Sequence, residues 1–207
     1  RNVLSHNYGL QSFELQEKHL TRPAPYRDYP VVKTHLRPSR IKDIRPQDKV
    51  VLLVRDGRDA LISIAHHRKD IIEPNSNFEK NLEEAIKAQR GSFFGGWSRN
   101  ILEWASIADI IIKFEDLVND PIRECERLRK IIPGLPQLIQ SAPPTLDSQR
   151  KGQGKYGPIS GANGLFFRKG QIGYWKTEMP QGLHQIFWKK HGHAMRLMGY
   201  SRTSSII

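Results

Sequence analysis

Uninterrupted apolar runs alternate with amphipathic segments along this chain. Lys49–Val54 (KVVLLV) and Ala108–Lys113 (ADIIIK) are the clearest runs, and Val31–His35 is a shorter β-branched stretch between two prolines. An unbroken apolar run is typical of a strand that is buried on both faces of a parallel sheet. These three segments are therefore predicted to be strands.

Helical patterns separate and follow the predicted strands. Asp56–His67 opens with Asp56 and Asp59, which resemble a capping box with Asp in place of Glu. Further helices are predicted over Asn81–Ala105 with an interruption at Gly95-Gly96, over Pro121–Ile132, over Gln181–Met198, and over residues 1–20 before a polar loop. Residues 133–165, rich in Pro, Gly, Ser and Lys, are predicted to form a long loop or lid. The alternation indicates an α/β fold with a mainly parallel sheet.

The composition is that of a globular domain with a large positive charge. The 207 residues, 38% of them hydrophobic, allow one sizeable core. The formal net charge of +12 favours an anionic partner, which can be nucleic acid, an acidic membrane surface or a phosphorylated nucleotide. No apolar run approaches the roughly 20 residues of a membrane span. Cys125 is the single cysteine, so no internal disulfide can form, and a cytoplasmic location is predicted.

The segment Val31–Leu36 (VVKTHL) is the first of three that carry residue types suited to chemistry on an anion. Side chains alternate faces along a strand, so Lys33 and His35 are predicted to point the same way. A cation beside an imidazole can stabilise negative charge and accept a proton. The alternative interpretation is a surface lysine and a hydrogen-bonded histidine at a strand edge.

The second segment, Arg55–Asp59 (RDGRD), directly follows a predicted strand and opens a predicted helix. Backbone N–H groups and the helix dipole favour a phosphate at such a position. Arg55 and Ser63 can add hydrogen bonds to the same anion. The alternative interpretation is a charged turn held by Arg–Asp pairs.

The third segment, Phe166–Lys176 (FFRKGQIGYWK), combines cations, glycines and aromatic residues. Two adjacent cations precede a glycine, which lets the backbone approach an anion closely. Aromatic rings on both sides offer faces on which a purine base can stack. The alternative interpretation is a basic loop with buried aromatic residues.

Taken in order, these segments resemble the sulfotransferases that use 3′-phosphoadenosine 5′-phosphosulfate (PAPS) and release adenosine 3′,5′-bisphosphate (PAP). KTHL is similar to that family's catalytic strand, RDGRDALIS to its 3′-phosphate segment, KFEDL with NDP to its Tyr-Glu-Asp stretch, and FFRKGQIGYWK to its RKGxxGDWK signature. The resemblance runs roughly from Arg1 to Tyr200. It implies a P-loop-NTPase-like sulfotransferase fold, with residues 1–207 as one domain that lacks the family's N-terminal strand and phosphosulfate-binding loop.

The resemblance also implies a role for each candidate site residue. His35 is expected to be the general base that takes the acceptor's hydroxyl proton, and Lys33 is expected to stabilise charge on the leaving phosphate. The residues expected to bind the nucleotide are Arg55, Ser63, Phe166, Phe167, Arg168, Lys169 and Gly170. No metal is expected, because cationic side chains supply the electrostatic stabilisation. The expected partner is a hydroxyl-bearing acceptor, with no nucleic acid and no transmembrane segment.

Two other functions fit parts of the pattern. A nucleotide kinase or related NTPase shares the parallel sheet, although no segment resembles a Walker A motif with a Mg²⁺ carboxylate. A nucleic-acid-binding module would use the positive charge, and its binding to duplexes of any sequence would depend steeply on salt. Competition by PAP would favour the sulfotransferase over both. The acceptor and the oligomeric state are not predicted.

Overall fold

The computed structural model describes residues 4, 8–20, 25–41, 44–89, 96–138 and 171–203. The chain divides into two compact units. Unit 1 comprises residues 1–50 and 116–168, and unit 2 comprises residues 51–115 and 169–207. The predicted nucleotide-binding residues at positions 166–170 and most of the predicted loop over 133–165 lie outside the described residues.

Short strands and longer helices alternate in the described residues. The strands are β1 (Ser12–Leu15), β2 (Val31–Thr34), β3 (Val51–Val54) and β4 (Ile110–Lys113). The helices are α1 (Gly57–His67), α2 (Phe78–Lys87), α3 (Trp97–Ala105), α4 (Phe114–Asn119), α5 (Pro121–Ile131), α6 (Trp175–Glu178) and α7 (Gln181–Leu197). Short 3-10 turns cover Glu17–His19, Pro25–Asp28 and Pro38–Arg40, and a π-helical turn, Arg68–Ile72, follows α1. None of these helices is both long and apolar enough to cross a membrane.

The sheet of unit 1 consists of two short parallel strands. β1 pairs with β2, and Glu14 lies opposite Lys33 in the register. The sequence prediction of a helix over residues 1–20 is wrong at Ser12–Leu15. The four residues SFEL are too short for a periodic pattern to show, and their extended conformation is stabilised by pairing with a strand that comes later in the chain.

Unit 1 also contains α5, which begins as the sequence predicts. Pro121 occupies the first turn, and the Asp120 carboxylate accepts a hydrogen bond from the backbone N–H of Arg123. Cys125 on this helix is 1% exposed. Its carbonyl accepts a hydrogen bond from the Tyr8 hydroxyl at 3.1 Å, and burial raises the pKa of Tyr8 to about 12. Tyr8 therefore anchors the N-terminal part of unit 1 to α5.

The sheet of unit 2 is also parallel and pairs β3 with β4. Leu52 and Val54 are buried, whereas Leu53 between them is 50% exposed. The prediction that this strand is buried on both faces is therefore wrong at Leu53. Successive side chains point to opposite faces of a strand, and the face of Leu52 and Val54 is the one that packs into the core.

The core of unit 2 lies where α1, α2, α3 and α7 pack together. His191 on α7 is 1% exposed and lies between two helices. Its Nε2 donates to the Ile86 carbonyl at 3.0 Å, and its Nδ1 accepts a hydrogen bond from the Ser98 hydroxyl. Burial lowers the pKa of His191 to about 4, so the ring is neutral at pH 7. These bonds tie α7 to α2 and α3.

Two glycines in unit 2 lie at positions where a side chain would be sterically unfavourable. Gly96, the N-cap of α3, has a φ of 93°, which agrees with the interruption predicted at Gly95-Gly96 within Asn81–Ala105. Gly57, at the start of α1, lies under Trp97. A Cβ at position 57 would come within 2.8 Å of the Trp97 ring and 3.0 Å of Phe187. Gly57 therefore allows α1 to pack closely on the core.

Candidate functional site

The connection between β3 and α1 contains the RDGRD segment. Asp56 is the N-cap of α1, and its carboxylate accepts a hydrogen bond from the Arg58 backbone N–H at 2.9 Å. The Asp56 backbone N–H itself donates to Glu115 at 2.9 Å. The predicted capping box is therefore wrong in its second half, because the carboxylate that receives this N–H comes from Glu115 and not from Asp59. Two N–H groups at this helix start are already bound to carboxylates.

Asp59 instead holds a turn that is distant in the sequence, Gln171–Trp175, here named the signature turn. Asp59 is 2% exposed, and its two carboxylate oxygens accept the backbone N–H groups of Gly173 at 2.7 Å and Trp175 at 2.8 Å. Burial raises the pKa of Asp59, while the two N–H groups and Arg55 act in the opposite direction. Asp59 thus anchors the C-terminal half of the RKGxxGxWK segment to the first turn of α1.

Arg55 lies beside the same turn. One of its terminal nitrogens, Nη2, donates to the Gln171 carbonyl at 2.8 Å and lies 3.8 Å from the Asp59 carboxylate. Its guanidinium lies over the ring of Phe114, 4.8 Å from the centroid. The Nε of Arg55 is buried and has no hydrogen-bond partner in the described part of the chain. A buried N–H without a partner is unfavourable, so this atom suits an anion such as a phosphate oxygen.

Arg58, in the first turn of α1, binds a different set of groups from Arg55. It forms an ion pair with Asp56 at 2.6 Å and donates to the Arg202 carbonyl at 3.2 Å. Its guanidinium lies 3.6 Å from the centroid of the Trp175 ring, which stacks in turn on His184. Burial, together with the charge of Arg58, lowers the pKa of His184. The alternative interpretation of RDGRD as a turn with Arg–Asp pairs therefore also describes the structure.

Ser63, the other predicted phosphate contact in unit 2, lies on α1 and is exposed. Its hydroxyl has no hydrogen-bond partner among the residues that the structure describes. The remaining predicted nucleotide ligands, Phe166, Phe167, Arg168, Lys169 and Gly170, lie outside the described residues.

The predicted catalytic pair lies at the carboxyl end of β2 in unit 1. Lys33 is within the strand, and His35 follows the last strand residue and is exposed. The Nζ of Lys33 forms an ion pair with Glu14 at 3.0 Å, and the two side chains are 30% and 33% exposed. Sequence reasoning missed Glu14, because only the strand register brings it opposite Lys33.

Comparison with known proteins identifies the family. The protein-family model for the sulfotransferase domain matches residues 10–199 of this chain. This chain belongs to the sulfotransferase family. No curated protein matches this sulfotransferase chain in sequence.

Two solved structures share the fold of this sulfotransferase. The crystal structure of mouse sulfotransferase SULT7A1 complexed with PAP has a TM-score of 0.63 at 17% identity, over 80% of this chain and 66% of that one. The structure of retinol dehydratase with androsterone and the inactive cofactor PAP has a TM-score of 0.61 at 18% identity, over 91% of this chain and 59% of that one. The α/β sulfotransferase fold predicted from the sequence is confirmed. The match spans less than two thirds of the length of either neighbour.

Proposed function

We propose that this protein is a sulfotransferase that uses PAPS and transfers a sulfuryl group to the hydroxyl of an acceptor. Family membership over residues 10–199 supports the reaction class. The observation that supports PAPS as the sulfuryl donor is the buried Nε of Arg55 next to the signature turn, which has no hydrogen-bond partner in the described residues. The PAP complexes of both structural neighbours support the same nucleotide.

In this proposal the nucleotide's 3′-phosphate binds at the start of α1. The Nε–H of Arg55 donates to a phosphate oxygen, which gives a charge-assisted hydrogen bond in a buried position. Because N–H groups at the helix start already bind Asp56 and Glu115, side chains have to supply most of the recognition. The other proposed ligands are Ser63, Phe166, Phe167, Arg168, Lys169 and Gly170.

The proposed chemistry takes place at the end of β2. When bound, PAPS supplies the sulfuryl group, which passes from a 5′-phosphate oxygen to the acceptor oxygen and leaves PAP. His35 is exposed, so an acceptor can reach its imidazole, and the ring takes the hydroxyl proton as the new bond to sulfur forms. The ammonium group of Lys33 stabilises the negative charge that develops on the leaving phosphate. Glu14 keeps this ammonium at the strand.

Binding of two nucleotides tests the proposal. Calorimetry on the full-length protein compares PAP with adenosine 5′-monophosphate (AMP), which lacks the 3′-phosphate. We expect PAP to bind about 10- to 100-fold more tightly, since a charge-assisted hydrogen bond contributes about 1.5–3 kcal/mol. Arg55→Ala should remove most of this difference. Arg99→Ala, which removes an exposed charge from α3, should leave it unchanged.

Two results would contradict the proposal. Equal affinity of the unmodified protein for PAP and AMP would show that the protein has no 3′-phosphate site. Binding of duplex DNA that falls steeply with salt and is insensitive to PAP would favour the nucleic-acid module instead. A cytoplasmic location stays a prediction.

A further inference from the structure

Asp59 is a buried carboxylate whose partners among the described residues are Arg55 and the signature turn beside it. One oxygen accepts the N–H of Gly173 and the other accepts the N–H of Trp175. The two N–H groups are two residues apart and converge on one carboxylate because the chain bends here into α6. Gly173 supplies this bend with a φ of +77°, a conformation that glycine adopts without strain. The carboxylate and the bend therefore form one structural device.

Arg55 belongs to the same device. Its Nη2 is held between the Gln171 carbonyl at 2.8 Å and the Asp59 carboxylate at 3.8 Å, which leaves its buried Nε without a partner in the described residues. Asp59 thus contacts both the arginine proposed to bind phosphate and the turn beside it. Arg168, Lys169 and Gly170 immediately precede this turn in the sequence.

A carboxylate close to a phosphate site has two opposite effects. Coulomb repulsion between two anions weakens binding, and the low dielectric of a buried position strengthens that repulsion. A carboxylate that holds the hydrogen-bond donors in place strengthens binding, because the donors are ordered before the ligand arrives. The sign of the change after removal of the charge distinguishes the two effects.

We propose that Asp59 is a positioning residue of the nucleotide site, which fixes Arg55 and the signature turn in the arrangement that recognises the 3′-phosphate of PAP. The inference rests on the proposed function. It assigns to Asp59 a role that acts through other groups, since no contact between Asp59 and the nucleotide is required.

The test is Asp59→Asn in the full-length protein, with PAP and AMP as the two probes. The substitution keeps the shape of the side chain, but its NH₂ group replaces one acceptor and faces a backbone N–H that then lacks a partner. We expect PAP affinity to fall about 10-fold or more, as for the loss of one charge-assisted hydrogen bond. AMP affinity should stay within about 3-fold, because AMP has no 3′-phosphate to be recognised.

Glu115→Gln is the matched control. It removes a carboxylate charge from the same corner, since Glu115 binds the Asp56 N–H and the Tyr200 hydroxyl but no group of the signature turn. The control should leave the affinity for PAP unchanged or raise it slightly through the lost repulsion.

Gly173→Ala tests the other side of the device. The added methyl group has room, with Lys176 at 3.7 Å, but the positive φ disfavours alanine. This variant retains the carboxylate and should lose PAP affinity selectively, as Asp59→Asn does. The effects of the two changes should be less than additive, because both break the same contact. If Asp59→Asn does not fold, Gly173→Ala provides the test, and an unchanged preference for PAP over AMP in this variant would overturn the inference.

The possible outcomes separate the inference from the proposed function. Tighter PAP binding by Asp59→Asn, or equal losses for PAP and AMP, would overturn the positioning role. If the unmodified protein prefers PAP to AMP and Asp59→Asn shows the same preference, the inference is overturned and the proposed function stands. An unmodified protein that does not distinguish PAP from AMP would overturn the proposed function, and the inference with it.

Discussion

The proposed nucleotide corner of unit 2, which comprises Arg55, Asp59 and the signature turn, differs in construction from the end of β2 in unit 1. Asp59 is 2% exposed and holds two backbone N–H groups. Lys33 is 30% exposed and forms a single described ion pair with Glu14, and His35 is exposed. One region is fixed by buried hydrogen bonds, whereas the other presents its polar groups to solvent.

The difference reflects what each region is proposed to do. A nucleotide that every catalytic cycle uses can be recognised by groups that are ordered in advance, which lowers the entropy lost on binding. A base that takes a proton from an external hydroxyl has to be reachable. Substitutions should therefore affect stability and nucleotide affinity in unit 2, and turnover in unit 1.

The largest effect is expected for His35→Ala. Loss of a general base should reduce kcat about 10²- to 10⁴-fold on an identified acceptor. Affinity for PAP should stay within a few-fold, and the free energy of unfolding should change by no more than about 0.5 kcal/mol, because the side chain is exposed. Steady-state kinetics, calorimetry and urea unfolding measure the three quantities.

The pH profile sharpens the test of His35. The acidic limb of kcat/KM should disappear in His35→Ala, and it should persist in Lys33→Ala, which lowers turnover by loss of charge stabilisation. A variant at position 35 with near-normal turnover would show that another group is the base.

The next largest effect is expected in the free energy of unfolding, when the Asp56–Arg58 ion pair of unit 2 is compared with the Glu14–Lys33 ion pair of unit 1. Asp56→Ala leaves the guanidinium of Arg58 buried without its charge partner and removes the N-cap of α1, so the free energy of unfolding should fall by about 3–5 kcal/mol. Glu14→Ala breaks a partly exposed pair with Lys33 and should cost less than about 1 kcal/mol. Urea unfolding of both variants measures the difference. Similar losses would show that unit 1 is as tightly fixed as unit 2.

The smallest effect is expected for a pair of glycine variants in unit 2. Gly57→Ala places a methyl group 2.8 Å from the Trp97 ring and should reduce the free energy of unfolding by about 1–3 kcal/mol. Gly182→Ala adds a methyl group on α7, where no described atom outside the helix's own backbone lies within 4 Å, and should raise stability by about 0.4–1 kcal/mol. A stable Gly57→Ala variant would mean that the start of α1 can move away from the core.

The chain's sequence determined the fold class and most of the elements. The apolar runs that became β3 and β4 and the caps of α1 and α5 are local properties, because burial and capping act over a few neighbouring residues. β1 was missed because four residues carry no periodicity of their own and pair with β2 through tertiary structure.

The candidate site was also read only in part from the sequence. The order of KTHL, RDGRDALIS and FFRKGQIGYWK indicated Lys33, His35 and Arg55 as candidate site residues. The charge of a lysine or arginine and the basic nitrogen of a histidine are properties of the residue type, so the sequence alone shows them. The partners of these side chains could not be read in the same way. Asp59 is separated by 114 and 116 residues from the two residues that it holds, and Glu14 by 19 residues from Lys33. Hydrogen bonds over such separations depend on strand register and helix packing, which only the tertiary structure decides.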